Sequence, residues 1–281
     1  MPAVEMKGKE MAAARKDWVR NKVEAMDEKP GLAVILVGDN PASRVYADGK
    51  RRDCAQCGIY SEEYILPERT TERELLELID ALNERKAMDG ILIQMPLPDH
   101  IDARRVLTAV RPDKDIDCFH PFNMGQLVFG EEGFRPCTPS AVMAMLEEYG
   151  IDPTGKSCVI VGRSNIVGKP LAMLMVNHDA TVTICHTVTA HLEKKCRRAD
   201  ILVAAAGQRG LITGDMVKEG AVVIDVAVNR DEEGRLCGDA VYEEMLEKAS
   251  YVTPVPGGVG PMTRAMLMMN TYRAAVRHGK K

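Results

Sequence analysis

The stretch S-C-V-I-V-G-R-S-N-I-V-G-K-P, residues 157–170, decides how this chain folds. Ser157–Val161 is a short, mostly apolar run that reads as a strand, and Gly162 to Gly168 is a glycine-bracketed turn, with Pro170 opening the helix after it. Such a turn presents backbone N–H groups at a helix N-terminus, and glycine lets an anion come close. Ser164 stands where G-x-G-x-x-G would have its second glycine, so the turn alone also fits a plain strand-to-helix connector. The rhythm of the downstream chain decides between them. Further strands are predicted at Thr181–Cys185, Ile201–Ala205, Ala221–Ala227 and Tyr251–Thr253, separated by roughly helical lengths. That alternation is α/β, a doubly wound parallel sheet of the Rossmann type, and it predicts a dinucleotide at the first turn.

The second of these strands bears on which dinucleotide. NAD is usually held by an Asp or Glu about 20 residues past the glycine turn. Here the strand ends in Cys185-His186-Thr187, with no carboxylate. Arg163 offers a guanidinium and Thr187 a hydroxyl, which suits a 2′-phosphate and favours NADP. His186 and His191 read as local hydrogen-bonding residues, since nothing acidic or nucleophilic flanks them.

Working back toward the start, Leu32 to Val37 is a continuous apolar run, followed by Asn40 as N-cap and Pro41 as first residue of a helix ending near Gly58. Thr71 and Glu74 form a capping box for a helix from about Glu72 to Met88, and Gly90 opens the strand Ile91–Gln94. These are βαβ elements, with parallel strands and right-handed crossovers. Pro136, Thr138 and Pro139 precede a helix over Ala141–Tyr149 and read as a hinge, while Arg264 to Arg277 reads as a closing helix that returns to the first lobe. The expected division is residues 1–138 with 262–281 in one domain, and 139–261 in the other.

Composition excludes several function classes. With 46% hydrophobic and 28% charged residues the 281-residue chain reads as globular, and a formal net charge of −4, with both signs interspersed, gathers neither nucleic acid nor an anionic membrane. Charged residues from Glu5 to Asp17 break what a signal peptide would need as an apolar core, so the expected location is the cytoplasm. The eight cysteines are scattered rather than framed as disulfides. Cys54 and Cys57 form a C-x-x-C in the last turns of a helix, away from the N-terminal end that activates a thiol, and no second pair completes a zinc site. No metal is expected.

Ser43, Tyr46 and Lys50 are spaced by three and four and share a helix face. Y-x-x-x-K also occurs in short-chain dehydrogenases, but there the nucleotide fold comes first in the chain, the reverse of this order. Gln94 ends a strand and so sits at a carboxyl edge of the sheet, where open α/β folds bind ligands. In D-K-D-I-D, Asp113, Asp115 and Asp117 alternate; a calcium loop is excluded by the missing glycine and terminal Glu, leaving one aspartate bonding a polar ligand, with solvated turn residues as the alternative. The run P-V-P-G-G-V-G-P-M-T at 254–263 is stiff and bare, a turn suited either to a flat ligand or to a tight connection. A side chain at Gly258 is expected to enter the space where bare backbone meets the ligand.

Taken together, G-D-N-P-A-S-R-V-Y at 38–46, Q-M-P-L-P at 94–98, K-D-I-D at 114–117, R-P-C-T-P at 135–139 and the glycine run resemble the methylenetetrahydrofolate dehydrogenase/cyclohydrolase family over nearly the whole chain. The resemblance implies a folate-binding catalytic domain followed by an NADP-binding domain, a folate cleft between the lobes, and a homodimer through the nucleotide lobes. It implies Lys50 as principal catalytic residue, Tyr46 packed on the folate, Gln94 bonded to Lys50 and substrate, and Asp117 on the pterin. Pro256, Gly257, Gly258, Val259 and Gly260 would line the folate site, and Gly162, Arg163, Ser164, Thr187 and Val228 would touch the dinucleotide. Two positions depart from the family pattern. Cys118 replaces a common glycine, and Val188 replaces the cation of H-S-[KR]-T. The implied activity is NADP-dependent oxidation of 5,10-methylenetetrahydrofolate and hydrolysis of the methenyl product, the alternative being a dehydrogenase without the hydrolytic step. Hydride transfer needs two flat ligands held face to face; hydrolysis needs an acid–base group. A lysine with an ordinary pKa near 10.4 is a poor base at neutral pH, so Lys50 would have to be lowered by burial and by the cationic substrate.

Overall fold

The structure, a computed structural model, describes residues 2–38 and 41–281, without the side chains of residues 41–43, 45 and 46. The expected cap at Asn40 and the side chains of Ser43 and Tyr46 therefore lie outside the described residues. In chain order the elements begin β1 (Val4–Glu5), α1 (Gly8–Glu24), β2 (Gly31–Val37), α2 (Pro41–Cys57), β3 (Tyr60–Leu66), α3 (Glu72–Glu84), β4 (Gly90–Ile93), α4 (Ala103–Ala109), α5 (Pro121–Val128) and α6 (Cys137–Glu148). They continue with β5 (Ser157–Val161), α7 (Gly168–Asn177), β6 (Thr181–Cys185), α8 (Leu192–Cys196), β7 (Ile201–Ala204), β8 (Val222–Asp225), β9 (Asn229–Arg230), β10 (Leu236–Cys237), α9 (Tyr242–Lys248), β11 (Tyr251–Val252) and α10 (Val259–Arg277).

Two compact units result, Ala13–Cys137 with Arg264–Lys281 and Met1–Ala12 with Thr138–Thr263. Relative to the expected division, the first dozen residues change sides. The cause is β1, which pairs in parallel with β11 through Val4↔Tyr251 and Glu5↔Val252. A two-residue strand with exposed side chains has no hydrophobic pattern to announce it.

In the unit built on residues 13–137, three parallel strands lie in the order β3-β2-β4. The apolar run of β2 is buried along its whole length, as a central strand covered on both faces must be. Thr71 caps α3 as the capping box requires, and Leu75, Ile79 and Leu82 bury its apolar face in a core with Ala33, Ile35 and Ile91. The C-terminal residues return to this unit. Asp89, fully buried, accepts hydrogen bonds from the Gly31 amide at 2.8 Å and Lys280 Nζ at 2.8 Å, and pairs with His278 Nδ1 at 2.9 Å.

The other unit carries a six-stranded sheet in the order β1-β11-β8-β7-β5-β6, every pair parallel. β5 lies between β6 and β7, so successive crossovers leave in opposite directions from it and open a crevice at its carboxyl end. Leu202, Ala204, Val223 and Val252 belong to the core against which Met216 and Met245 pack. A short antiparallel ribbon, β9 with β10, follows β8.

Candidate active site

Lys50 lies on the last half of α2, three residues past the buried Ala47, and its amine is drawn inward. Its Nζ donates to Gln94 Oε1 at 3.0 Å. The amide of Gln94 is fixed by its other end, because Nε2 donates to the Met95 carbonyl at 2.9 Å and the Gln94 backbone N–H donates to Ile35 O at 2.8 Å. An oxygen rather than an NH2 therefore faces the lysine.

Burial holds the Lys50 ammonium below its usual range, and the neighbouring Arg264 guanidinium pushes the same way, while Asp117, Cys137 and Cys54 oppose it. Asp117, raised by its own burial, is held down by Lys50 and by a hydrogen bond from the Cys137 thiol. A half-buried amine, an amide oxygen and a half-buried carboxylate thus converge in one unit.

The three alternating aspartates separate cleanly. Asp113 is a surface partner of Arg111, at 2.8 Å. Asp115 is buried and accepts from the Phe119 and His120 amides and from Asn123 Nδ2 at 3.0, 2.8 and 2.8 Å, which fixes the entry to α5. Of the three, it is the charge of Asp117 that acts on Lys50. Cys118 adopts φ +60°, the left-handed region that glycine occupies without strain, and its Sγ donates to Phe134 O at 3.3 Å inside the core. The thiols of the C-x-x-C are pushed up to about 12 by burial, the opposite of what a reactive thiolate needs. Among the described residues, no three His, Cys, Asp or Glu side chains are grouped to hold a metal, and no helix is long and apolar enough to cross a membrane.

Pro256 to Gly260 lie in the other unit, in a turn that runs straight into α10. Gly258 N donates to Pro254 O at 2.8 Å, and Gly257, at φ +107°, gives its carbonyl to Gly8 N at 2.9 Å. The structure corrects the expectation for Gly258. A Cβ there would meet its own loop, at 2.6 Å from Pro254 O and 2.9 Å from Thr253 Cβ, whereas Gly257 and Gly260 face open space. Gly258 is bare for packing, and the glycines that leave a surface free are its neighbours.

The glycine turn after β5 has a built-in reason for both of its ends. A Cβ on Gly162, at φ +139°, would lie 2.1 Å from Ala205 O, and one on Gly168 would lie 2.2 Å from Gly162 O. Ser164, in place of the second glycine, closes the turn, its Oγ accepting from Val167 N at 3.1 Å and Gly168 N at 3.5 Å. Arg163 and Thr187 are exposed, and among the described residues no carboxylate lies within ion-pair distance of Arg163. Thr189 Oγ1 accepts from His186 N at 2.8 Å, which closes the segment carrying Val188, itself 77% exposed. Val228 is half-exposed beyond the end of β8. A cradle of bare backbone with an uncompensated guanidinium beside it fits a dinucleotide that carries a further phosphate.

Three residues around the Lys50 cluster stand out only in the structure: Cys137, Asn270 and Arg264. In the sequence Cys137 is visible only as part of R-P-C-T-P, and the other two only as positions in a closing helix. Arg264 Nε lies 3.3 Å from the buried carboxylate of Asp53, and its guanidinium occupies the space a Cβ on Gly49 would need, at 2.5 Å. No local spacing could link residue 264 to residue 49.

Comparison with known proteins places these features. Residues 6–117 match the tetrahydrofolate dehydrogenase/cyclohydrolase catalytic domain, and residues 136–279 match the NAD(P)-binding domain of the same name. The chain is 54% identical over 279 residues to the bifunctional protein FolD of Ruminiclostridium cellulolyticum, covering 98% of each. Among solved structures, the bifunctional FolD enzyme of Campylobacter jejuni superposes with a TM-score of 0.97 at 48% identity, over 98% of this chain and 99% of that one. The methylenetetrahydrofolate dehydrogenase-cyclohydrolase of Trypanosoma brucei, complexed with NADP cofactor and inhibitor, superposes at 0.93 with 39% identity over 99% of both chains.

Proposed function

The chain belongs to the tetrahydrofolate dehydrogenase/cyclohydrolase family, and from that premise we propose how its own residues divide the work. It is an oxidoreductase and hydrolase of one-carbon metabolism, oxidising 5,10-methylenetetrahydrofolate with NADP and hydrolysing the methenyl product to 10-formyltetrahydrofolate. When bound, NADP supplies the hydride acceptor. Gly162, Arg163, Ser164, Thr187 and Val228 hold it, with Arg163 paired to the 2′-phosphate.

Lys50 is the acid–base group of the hydrolytic step. As the neutral amine it takes the proton from the water that adds to the methenyl carbon; as the ammonium it returns a proton to the ring nitrogen whose bond to that carbon breaks. Gln94 orients the amine, and Asp117 binds the pterin while setting the proton affinity of Lys50. Tyr46 stacks on the folate in this reading. Pro256, Gly257, Val259 and Gly260 present bare or rigid surface to the substrate, and Gly258 shapes the turn that carries them. The observation that carries the assignment is the 3.0 Å bond from Lys50 Nζ to an amide oxygen, with burial lowering the amine's proton affinity.

The dehydrogenase needs no titratable side chain at the reacting carbon, only two ligands held in register. Following NADPH formation and loss of the methenyl compound separately, in one reaction started from methylenetetrahydrofolate and NADP, tests both steps. NADPH formation with accumulation of the methenyl compound at its uncatalysed decay rate would leave the dehydrogenase alone. A homodimer, a cytoplasmic location and the absence of nucleic-acid binding complete the proposal. Sedimentation of the purified protein checks the first.

A further inference from the structure

Asn270, on α10, is 3% exposed and uses both hydrogens of its amide. Nδ2 donates to Ile116 O at 2.8 Å and to Arg135 O at 3.0 Å, and lies 3.7 Å from Cys137 Sγ. These are not arbitrary loop carbonyls. Ile116 immediately precedes Asp117; Arg135 stands two residues before Cys137, whose thiol donates to Ile116 O at 3.6 Å and lies beside the Asp117 carboxylate. Cys118, on the far side of Asp117, is tied to Phe134 O. The backbone on both sides of the carboxylate is therefore sewn to residues 134–137, and Asn270 is the side chain that bonds both segments at once.

We infer that Asn270, acting through the Ile116 carbonyl and through Cys137, is a positioning residue that aims Asp117 at Lys50. The inference rests on the proposed role of the Lys50–Asp117 pair and adds to it two buried residues. Only a side chain with two N–H groups on one atom, short enough for a helix to hold rigid, makes both bonds. An aspartate of the same shape would set oxygen against two carbonyls. Displacing Asp117 has a defined consequence for proton affinity. The other charged or titratable groups facing Lys50 are Cys137, Cys54 and Arg264, so Asp117 is its principal negative neighbour. Moving that charge away lowers the amine's affinity for a proton, and the pH limb of hydrolysis shifts toward acid.

The test uses the full chain with Asn270→Ser, Cys137→Ala, Cys137→Ser, Asp117→Asn and the Asn270→Ser/Asp117→Asn double variant. Asn270→Ser keeps one donor and should reduce kcat/KM for the folate by about tenfold or more, as expected for a misplaced binding group, with the Kd for NADP unchanged. Its hydrolysis limb should move to lower pH. Cys137→Ser, which keeps a donor to the carboxylate, should resemble the parent, and Cys137→Ala should resemble Asn270→Ser; this pair carries the test if Asn270→Ser does not fold. In the Asp117→Asn background the Asn270 substitution should cost little, because coupled residues are non-additive. A folded Asn270→Ser with parental kcat/KM and an unmoved limb overturns the inference, as does a full, multiplicative loss in the double variant. Parental activity in Asp117→Asn alone would instead remove the role of Asp117 itself, an outcome readable without any Asn270 variant.

Discussion

Two alanines placed two residues apart in the glycine run should behave in opposite ways. At Gly258 the new Cβ would sit 2.6 Å from Pro254 O and 2.9 Å from Thr253 Cβ, closer than carbon atoms pack, and Gly8 already rests against the Gly258 carbonyl. The neighbour that must yield is not free to do so. Thr253 is buried, and its Oγ1 accepts from Asp225 N at 2.7 Å, so a shift propagates to the end of β8. Overpacking of this kind costs about 1–3 kcal/mol. At roughly 3 °C per kcal/mol for a unit of this size, Gly258→Ala should lower Tm by about 3–9 °C. At Gly260 nothing lies within 4 Å of the added carbon and the residue is in the first turn of α10, where alanine is favoured over glycine by up to about 1 kcal/mol. Its Tm should hold or rise.

Ligand binding then separates the two. If bare backbone at 257–260 meets the folate, a methyl group on Gly260 intrudes on a flat ring, and a cost of about 1–2 kcal/mol raises KM for methylenetetrahydrofolate by roughly five- to thirtyfold. NADP affinity, set around Gly162 and Arg163, should not change. Thermal denaturation with and without NADP, and initial rates at varied folate, give all four numbers. Parental KM in Gly260→Ala would refute the assignment of this surface to the substrate. An unchanged Tm in Gly258→Ala would refute the packing argument, whatever the kinetics.

Lys50→Met should fold and bind NADP but lose methenyltetrahydrofolate hydrolysis, measured as decay of the methenyl absorbance; retained hydrolysis removes Lys50 as the proton carrier. Gln94→Glu places a carboxylate where an amide oxygen now lies 3.0 Å from the amine, which raises the proton affinity of Lys50. The neutral amine then forms only at higher pH, so the limb of hydrolysis should move toward alkali and the rate near neutrality should fall; a limb that stays put, or moves toward acid, contradicts the electrostatics. Arg163→Ala should remove most of the preference for NADP over NAD in kcat/KM, a preference of roughly ten- to a hundredfold if one charge-assisted contact carries it. Equal use of NAD by the parent enzyme would point instead to Val188 as the position that decides.

The parts of the fold legible in the sequence are those where local chemistry and tertiary burial agree. β2, β5 and β7 can be read because a strand inside a parallel sheet is apolar on both faces, and α3 because its capping box and its buried Leu75, Ile79 and Leu82 say the same thing. β3 is not legible because it lies at the edge of its sheet, where Y-S-E-E-Y-I-L can leave several positions to solvent. β1 is not legible because it is held by backbone pairing alone.

The site divides along the same line. Lys50 and Gln94 stand on one face of a helix and at the end of a strand, two places where position along an element implies direction in space. The three aspartates of D-K-D-I-D carry identical local chemistry, and what distinguishes them lies elsewhere in the fold: Arg111 and His278 beside Asp113, Asn123 beneath Asp115, Lys50 and Cys137 around Asp117. Gly258 shows the converse. A glycine can be bare toward a ligand or bare toward its own chain, and the letter G does not say which; only the placement of Thr253 and Pro254 does. Asn270 combines both difficulties, since it sits on a largely buried helix and its partners lie more than a hundred residues upstream. Residues that touch a ligand are constrained in kind by that ligand's chemistry and leave a mark in the sequence. A residue that aims another through backbone carbonyls needs only a pair of N–H groups in the right place, and any buried asparagine has those, so its role becomes visible only when the acceptors are identified as the neighbours of the acid it holds.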